Sequence, residues 1–206
     1  MRLDLPTLDG LLTWTQQADG RCPFAEAHCR SSRTNALLAF RSKARLEIEV
    51  IEFSESRFDA LVEMYDAFEP KRAAQGLPPV GRDRIIAWLR QVQKSGFHLL
   101  ALWNGRLIGH SMLCPFDPQR AEFAIFLDQH FRNQGIGTAL TEVTLDYGRH
   151  KGIRDVWLSV EVNNRCAIRV YKKNGFRVSG FFGPEQEMAL NLEEATGNEV
   201  VHDPAA

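Results

Sequence analysis

Asn104-Gly105 stands between two apolar runs, residues 97–103 and 107–113, and nothing else in the sequence restricts the fold so severely. The dipeptide supplies two left-handed residues in a row, which a tight turn with the twist of paired strands requires, so the runs are expected to pair antiparallel. Such a pair needs a neighbour. After the turn marked by Pro115 and Pro118 comes Glu122-Phe123-Ala124-Ile125-Phe126-Leu127, a short run apolar on both faces and therefore expected in the middle of the sheet.

The remaining signals extend this nucleus. Alternation over residues 46–51 predicts a strand, and Phe58, Leu61, Val62 and Tyr65 at i, i+3, i+4 and i+7 predict an amphipathic helix. The same spacing at Ile85, Trp88, Leu89 and Val92 predicts a second helix, with a Gly- and Pro-containing loop at 70–81 between the two. A helix is expected from about Gly135 to a stop at Gly152, carrying Ile136, Ala139, Leu140, Val143 and Tyr147 on one face. Residues 156–160 read as a strand. A last helix runs from the caps Asn163-Asn164 to Asn174-Gly175, and strands at 176–179 and 187–192 close the order. The fold class is α/β, an α+β mixed sheet with one crossover helix, assigned to residues 45–206. Residues 1–44 show only a short helical pattern (Leu8, Leu11, Leu12) and a polar stretch, and are read as an N-terminal appendage.

Composition matters here mainly for what it excludes. A formal net charge of -1 predicts neither a nucleic-acid binder nor a membrane-surface protein. The apolar run at 97–103 is far short of the ~20 residues that span a bilayer. Met1-Arg2-Leu3-Asp4 shows no signal-peptide pattern, so a soluble, cytoplasmic protein is expected. Cys22, His28 and Cys29 match no metal-ligand spacing, and no metal is expected. Cys114 and Cys166 lie within apolar patterns and are expected to be buried.

The chemistry is concentrated in Phe131-Arg132-Asn133-Gln134-Gly135-Ile136-Gly137-Thr138, placed between the central strand and the long helix. The first N–H groups of a helix lack internal partners and carry partial positive charge, and glycines let a phosphate reach them. A dinucleotide fingerprint would need a third glycine where Leu140 stands, and no glycine loop is followed by the Lys-Ser/Thr of a P-loop.

With these residues in place, the stretch 122–176 resembles the GNAT superfamily of N-acetyltransferases. Arg132, Gly135 and Gly137 are similar to the family's Arg/Gln-x-x-Gly-x-Gly/Ala loop, Asn164, Ala167 and Tyr171 to its Asn-x-x-Ala-x-x-x-Tyr helix, and Lys172 to Phe176 to the turn that follows. The resemblance implies a GNAT-like acyl-CoA N-acyltransferase fold with acetyl-CoA as co-substrate. It implies that the backbone of Ile125, Phe126 and Leu127 lies along the pantetheine arm. Arg132, Asn133, Gln134, Gly135, Ile136, Gly137 and Thr138 would hold the pyrophosphate, with Asn164 near the cofactor and Tyr171 near its sulfur. The residues alone also allow Asn164 to be an N-cap and Tyr171 a core aromatic.

The reaction implied is attack of a neutral primary amine on the thioester, within a ternary complex. A backbone N–H of the strand ending at Leu127 would stabilise the oxygen that takes on charge, and Tyr171 would protonate the leaving sulfur. Glu122 is the first candidate for the base, with His98, His110, Asp128, Glu161 and water as substitutes. Residues 70–81, Arg82 and Arg84 occupy the part that shapes the acceptor site in the family. The acceptor, a small-molecule amine or a protein or peptide amine, is left open, as is a homodimer. The other readings are an acyl-CoA-binding module without turnover and, more distantly, a dinucleotide-binding oxidoreductase.

Overall fold

The computed structural model describes residues 36–71, 77–94 and 96–193. Among the described residues the chain forms eight strands: β1 Ala36–Arg41, β2 Glu47–Glu52, β3 Phe97–Trp103, β4 Arg106–Pro115, β5 Arg120–Leu127, β6 Asp155–Glu161, β7 Arg177–Phe182 and β8 Glu185–Asn191. The helices among them are α1 Phe58–Asp66, α2 Arg82–Val92, α3 Ile136–His150 and α4 Arg165–Lys173. The strands build one mixed sheet in the order β1-β2-β3-β4-β5-β6-β8-β7. Only β5 and β6 run parallel, joined by the crossover through α3.

The Asn104-Gly105 turn closes the β3–β4 hairpin with φ of 49° and 77°, and Trp103 pairs directly with Arg106. Two left-handed residues in succession make this a type I′ geometry, which explains the dipeptide. β1 was not expected. It pairs antiparallel with β2, so the sheet begins at Ala36, inside the segment 1–44 set aside as an appendage, whose residues 1–35 lie outside those described. The five-residue run Ala36-Leu37-Leu38-Ala39-Phe40 has the apolarity of a strand but only one neighbour to pair with, on the far side of a turn.

Both faces of the sheet are covered. On one, Leu61, Tyr65, Ile85 and Leu89 of α1 and α2 pack against Leu100, Leu102, Met112 and Phe126. Full burial of side chains of this size is worth ~1.5–3 kcal/mol each. On the other, Ile136, Leu140 and Tyr147 of α3 cover Val50, Leu99, Ala101 and Ile108, while α4 sets Tyr171 against Phe123 and Phe176. α3 lies close to β4. Ser111 and Thr144 hydroxyls are hydrogen-bonded at 2.6 Å, and a β-carbon on Gly148 would collide with a methyl of Leu113.

Candidate active site

The register of β5 decides which of its backbone groups are free. Asp128 N–H donates to Ile108 O at 2.8 Å, and the pairing continues as His110↔Phe126 and Ser111↔Ile125. Hydrogen-bonded pairs alternate along an antiparallel ladder, so Phe126 bonds to β4 while Ile125 and Leu127 point their N–H and C=O groups toward β6. There the partner is missing. Parallel pairing between β5 and β6 stops at Glu122↔Trp157, and both strands continue for several residues beyond it. A slot therefore opens between the C-terminal halves of β5 and β6, edged by the polar groups of Ile125 and Leu127. Phe126, expected to share this role, instead turns its ring into an aromatic group with Tyr65, Phe68 and Trp88. A strand presents only alternate backbone groups to each side, and Phe126 has the wrong parity.

At the slot's open end the chain enters the glycine turn. Asn133 and Gly135 adopt left-handed φ of 62° and 84°, and Gly135 is the N-cap of α3, without a side-chain cap. The first internal bond runs from Ala139 N–H to Gly135 O, which leaves the N–H groups of Ile136, Gly137 and Thr138 without helical partners. Among the described residues a β-carbon on Gly137 would meet only Val170 of α4, at 3.9 Å, which leaves this approach to the helix start open. α4 is held beside it by Asn174, whose amide donates to Val170 O at 2.9 Å and Thr138 O at 3.4 Å. The arrangement suits an anion followed by an extended, amide-bearing chain: charge at the helix start, and strand-like bonding along the slot.

Tyr171 projects from α4 with its ring packed edge-on against Phe123 and Phe176. Its hydroxyl has no hydrogen-bond partner among the described residues, and burial pushes its pKa well up, so it is held as a neutral donor. Packing and a free hydroxyl coexist in this residue. Asn164 caps α4, its Oδ1 accepting from Ala167 N–H at 3.2 Å, which leaves its amide hydrogens for another contact. Cys166, expected to be buried, is exposed, because α4 turns the face of Ala167, Ile168 and Tyr171 inward and Cys166 falls beside it.

The candidate bases separate clearly. Glu122 lies at the last paired rung before the slot, half-buried, and desolvation raises its pKa. Its neighbour Cys114 is pushed up to about 11 by burial and then by the Glu122 charge. Asp128 is committed elsewhere: burial opposes its charge, but the N–H and ring of His130 and the guanidinium of Arg106 outweigh it and hold the carboxyl low. His98 and His110 belong to a buried chain. His98 Nε2 lies 3.1 Å from Val92 O, His98 Nδ1 3.0 Å from His110 Nε2, and His110 Nδ1 2.8 Å from Tyr65 Oη. The carbonyl can only accept, so with both rings neutral the donors are fixed in sequence: Tyr65 to His110, His110 to His98, His98 to Val92. Burial lowers both imidazole pKa values, that of His110 further through His98. Neither ring has a free nitrogen to act as a base. Glu161 ends β6 opposite Glu185.

Arg132 reaches the segment after α1. Its Nε donates to Leu127 O at 3.0 Å and its Nη2 to Glu69 O at 2.6 Å, with the guanidinium 4.9 Å from the Phe68 ring centre. Arg82 pairs with Asp66 at 3.8 Å and Arg84 is exposed, while residues 72–76 of the 70–81 loop lie outside those described. Lys43 was overlooked because it falls within the segment set aside. Its N–H donates to Gln134 O at 2.8 Å, and its side-chain carbons cross Gly135. The only signal was a lysine after a short apolar run, which spacing along the chain does not connect to Gly135. Residues Cys22, His28 and Cys29 lie outside the described residues. No helix among the described residues is long and apolar enough to cross a membrane.

Residues 58–176 match the model of the acetyltransferase (GNAT) family, more than half of the chain. The chain is 36% identical over 97 residues to an uncharacterised N-acetyltransferase of Methanocaldococcus jannaschii, covering 43% of this chain and 42% of that protein. It is 30% identical to the ribosomal protein bS18 alanine N-acetyltransferase of Escherichia coli K12, over 35% of this chain and 49% of that one. The chain thus spans about half the length of the curated relatives it matches. Among solved structures, the GNAT domain of S. lividans PAT aligns with a TM-score of 0.65 and 16% identity, over 74% of this chain and 95% of that one. The Salmonella typhimurium structure of yncA with its cofactor acetyl-CoA aligns with 0.59 and 19%, over 77% and 99%.

Proposed function

This chain belongs to the acetyltransferase (GNAT) family, and on that premise we propose that it transfers an acetyl group from acetyl-CoA to a primary amine by direct attack in a ternary complex. The observation that carries the reading is the parting of β5 from β6 after Glu122↔Trp157, with the unpaired edge of Ile125 and Leu127 leading to the bare N-terminus of α3. The amides of Ile136, Gly137 and Thr138 are the groups offered to the pyrophosphate, and the edges of Ile125 and Leu127 to the amides of the pantetheine arm. When bound, acetyl-CoA supplies the acetyl group as an activated thioester.

The chain's own residues then have three tasks. Tyr171 packs on Phe123, so the nearest free N–H along β5 is that of Ile125, and this donor is assigned to the carbonyl oxygen as it takes on charge. The Tyr171 hydroxyl is assigned to the sulfur. A phenol near ~10 and a thiol near ~8.5 put full proton transfer uphill by roughly 2 kcal/mol, and burial that raises the phenol raises a thiol beside it in the same direction. Glu122 is assigned to the amine's proton, directly or through water, since desolvation makes it a better proton acceptor than an exposed carboxylate.

The test is release of CoA over a panel holding peptide N-termini, lysine peptides, polyamines and small amines. Turnover on at least one class is expected. Tight binding of acetyl-CoA with no turnover across the panel overturns transfer in favour of a binding module.

A further inference from the structure

The turn after β5 reaches in two directions at once. Its first residues leave the slot, its last ones form the glycine amides, and two side chains between them grip a distant segment. Gln129 Nε2 donates to Ala67 O at 3.2 Å, while Gln129 Oε1 accepts from Glu69 N–H at 3.1 Å. One side-chain amide thus bonds the backbone of residues 67 and 69 as a neighbouring strand would. Arg132 adds the bond to Glu69 O and the stacking over Phe68, and joins them to Leu127 O at the edge of the slot. The segment held this way follows α1, on the face of the sheet opposite α3.

We propose that Gln129 and Arg132 are positioning residues that tie the segment Ala67 to Glu69, on the acceptor side, to the loop that grips the acyl donor. The inference rests on the reading of that loop as the CoA site. The donor's phosphates occupy the α3 end of the slot, so an amine enters from the opposite face, past the α1 segment. Ordering the turn by filling its amides orders that wall through Gln129 and Arg132. Arg132 serves the acceptor wall and is not a ligand of the phosphates, although it heads the sequence motif that contains them.

Coenzyme A is the probe, with calorimetry for affinity and hydrogen exchange of the peptide covering residues 65–71 for coupling. In the wild-type chain CoA slows exchange across this peptide, and in the Gln129→Ala/Arg132→Gln double variant that CoA-dependent part is lost. A lost charge-assisted bond to phosphate would weaken CoA by about tenfold or more, so a smaller change supports the proposal and a larger one overturns it. Persistence of the CoA effect in the double variant overturns it too. Arg132→Lys, which keeps the charge but offers one donor group in place of the fork, guards against a misfolded double variant and should lose part of the effect. If it keeps all of it, the proposal fails. If wild-type chain does not bind CoA, the functional reading falls and takes this inference with it. Binding without protection of residues 65–71 removes the inference alone.

Discussion

The two edges of β5 are treated oppositely. Toward β4 the strand is paired from Ala121 to Leu127, and the polar groups beneath, Tyr65, His110 and His98, are all joined in one buried chain. Toward β6 the pairing ends at Glu122, so that among the described residues the edge at Ile125, the N–H of Leu127, the first N–H groups of α3 and the Tyr171 hydroxyl have no partners, while Leu127 O is taken by Arg132. Buried backbone groups are almost always satisfied, so a run of unsatisfied ones marks where something else completes the bonding. The closed edge is the one expected to carry stability, and the open edge is where the proposed chemistry falls.

The sharpest way to test that division is Tyr171→Phe, which keeps the packed ring and removes only the hydroxyl. General acid catalysis gives ~10²–10⁴-fold, so single-turnover transfer should fall by that factor while acetyl-CoA affinity holds. A rate within about twofold of wild type would place Tyr171 on the packing side of the comparison.

Gly137→Val tests the open approach to α3, whose vacancy faces Val170. Crowding of this kind costs roughly 1–3 kcal/mol, or about 5- to 150-fold in the Kd for CoA. Calorimetry on the folded variant that shows unchanged affinity would move the phosphate site elsewhere.

On the closed edge the expected effect is on stability and its dependence on pH. His98 and His110 titrate lower in the fold than in the unfolded chain, where the value is ~6.5. Their contribution is therefore whole above that pH and is lost as pH falls below it, because the unfolded chain takes up protons that the fold refuses. The loss reaches up to ~1.4 kcal/mol per pH unit for each histidine. Urea unfolding between about pH 7 and pH 5 should show a shallower decline in a His98→Gln/His110→Gln variant. Equal declines would mean that the two rings do not resist protonation.

The closed edge was also the more legible in the sequence. Asn104-Gly105 sets its hairpin by local turn chemistry, and the glycine turn before α3 can be read because helix starts have their own residue preferences. The edge strand β1 escaped notice because a short apolar run acquires its meaning from a partner, here β2 across the turn at Lys43. Parity along β5 was beyond reach for a similar reason. Which of Ile125, Phe126 and Leu127 turns its backbone groups toward the slot depends on register with β4, which one strand's sequence does not contain. Arg132 shows the limit most plainly, since its bond to Glu69 spans 63 residues. His98 and His110 were weighed as bases singly, although the hairpin brings them to the same face, 3.0 Å apart.

If the start of α3 is the donor site proposed above, Gly148 offers a second way to perturb it, from the far end of the helix. α3 is a stiff rod, and Gly148 stands twelve residues after Ile136, about 18 Å along the axis. At that far end a β-carbon on Gly148 would collide with the terminal methyl of Leu113, so one of the two must shift. If α3 moves as a rigid body about the Thr144–Ser111 hydrogen bond, a methyl added there would shift the opposite end relative to the slot. The spacing between the α3 amides and α4 would then change with the side chain at this position. Gly148→Ala should alter the CoA affinity of a still-folded protein, and an unchanged Kd would show that the helix yields locally instead of tilting.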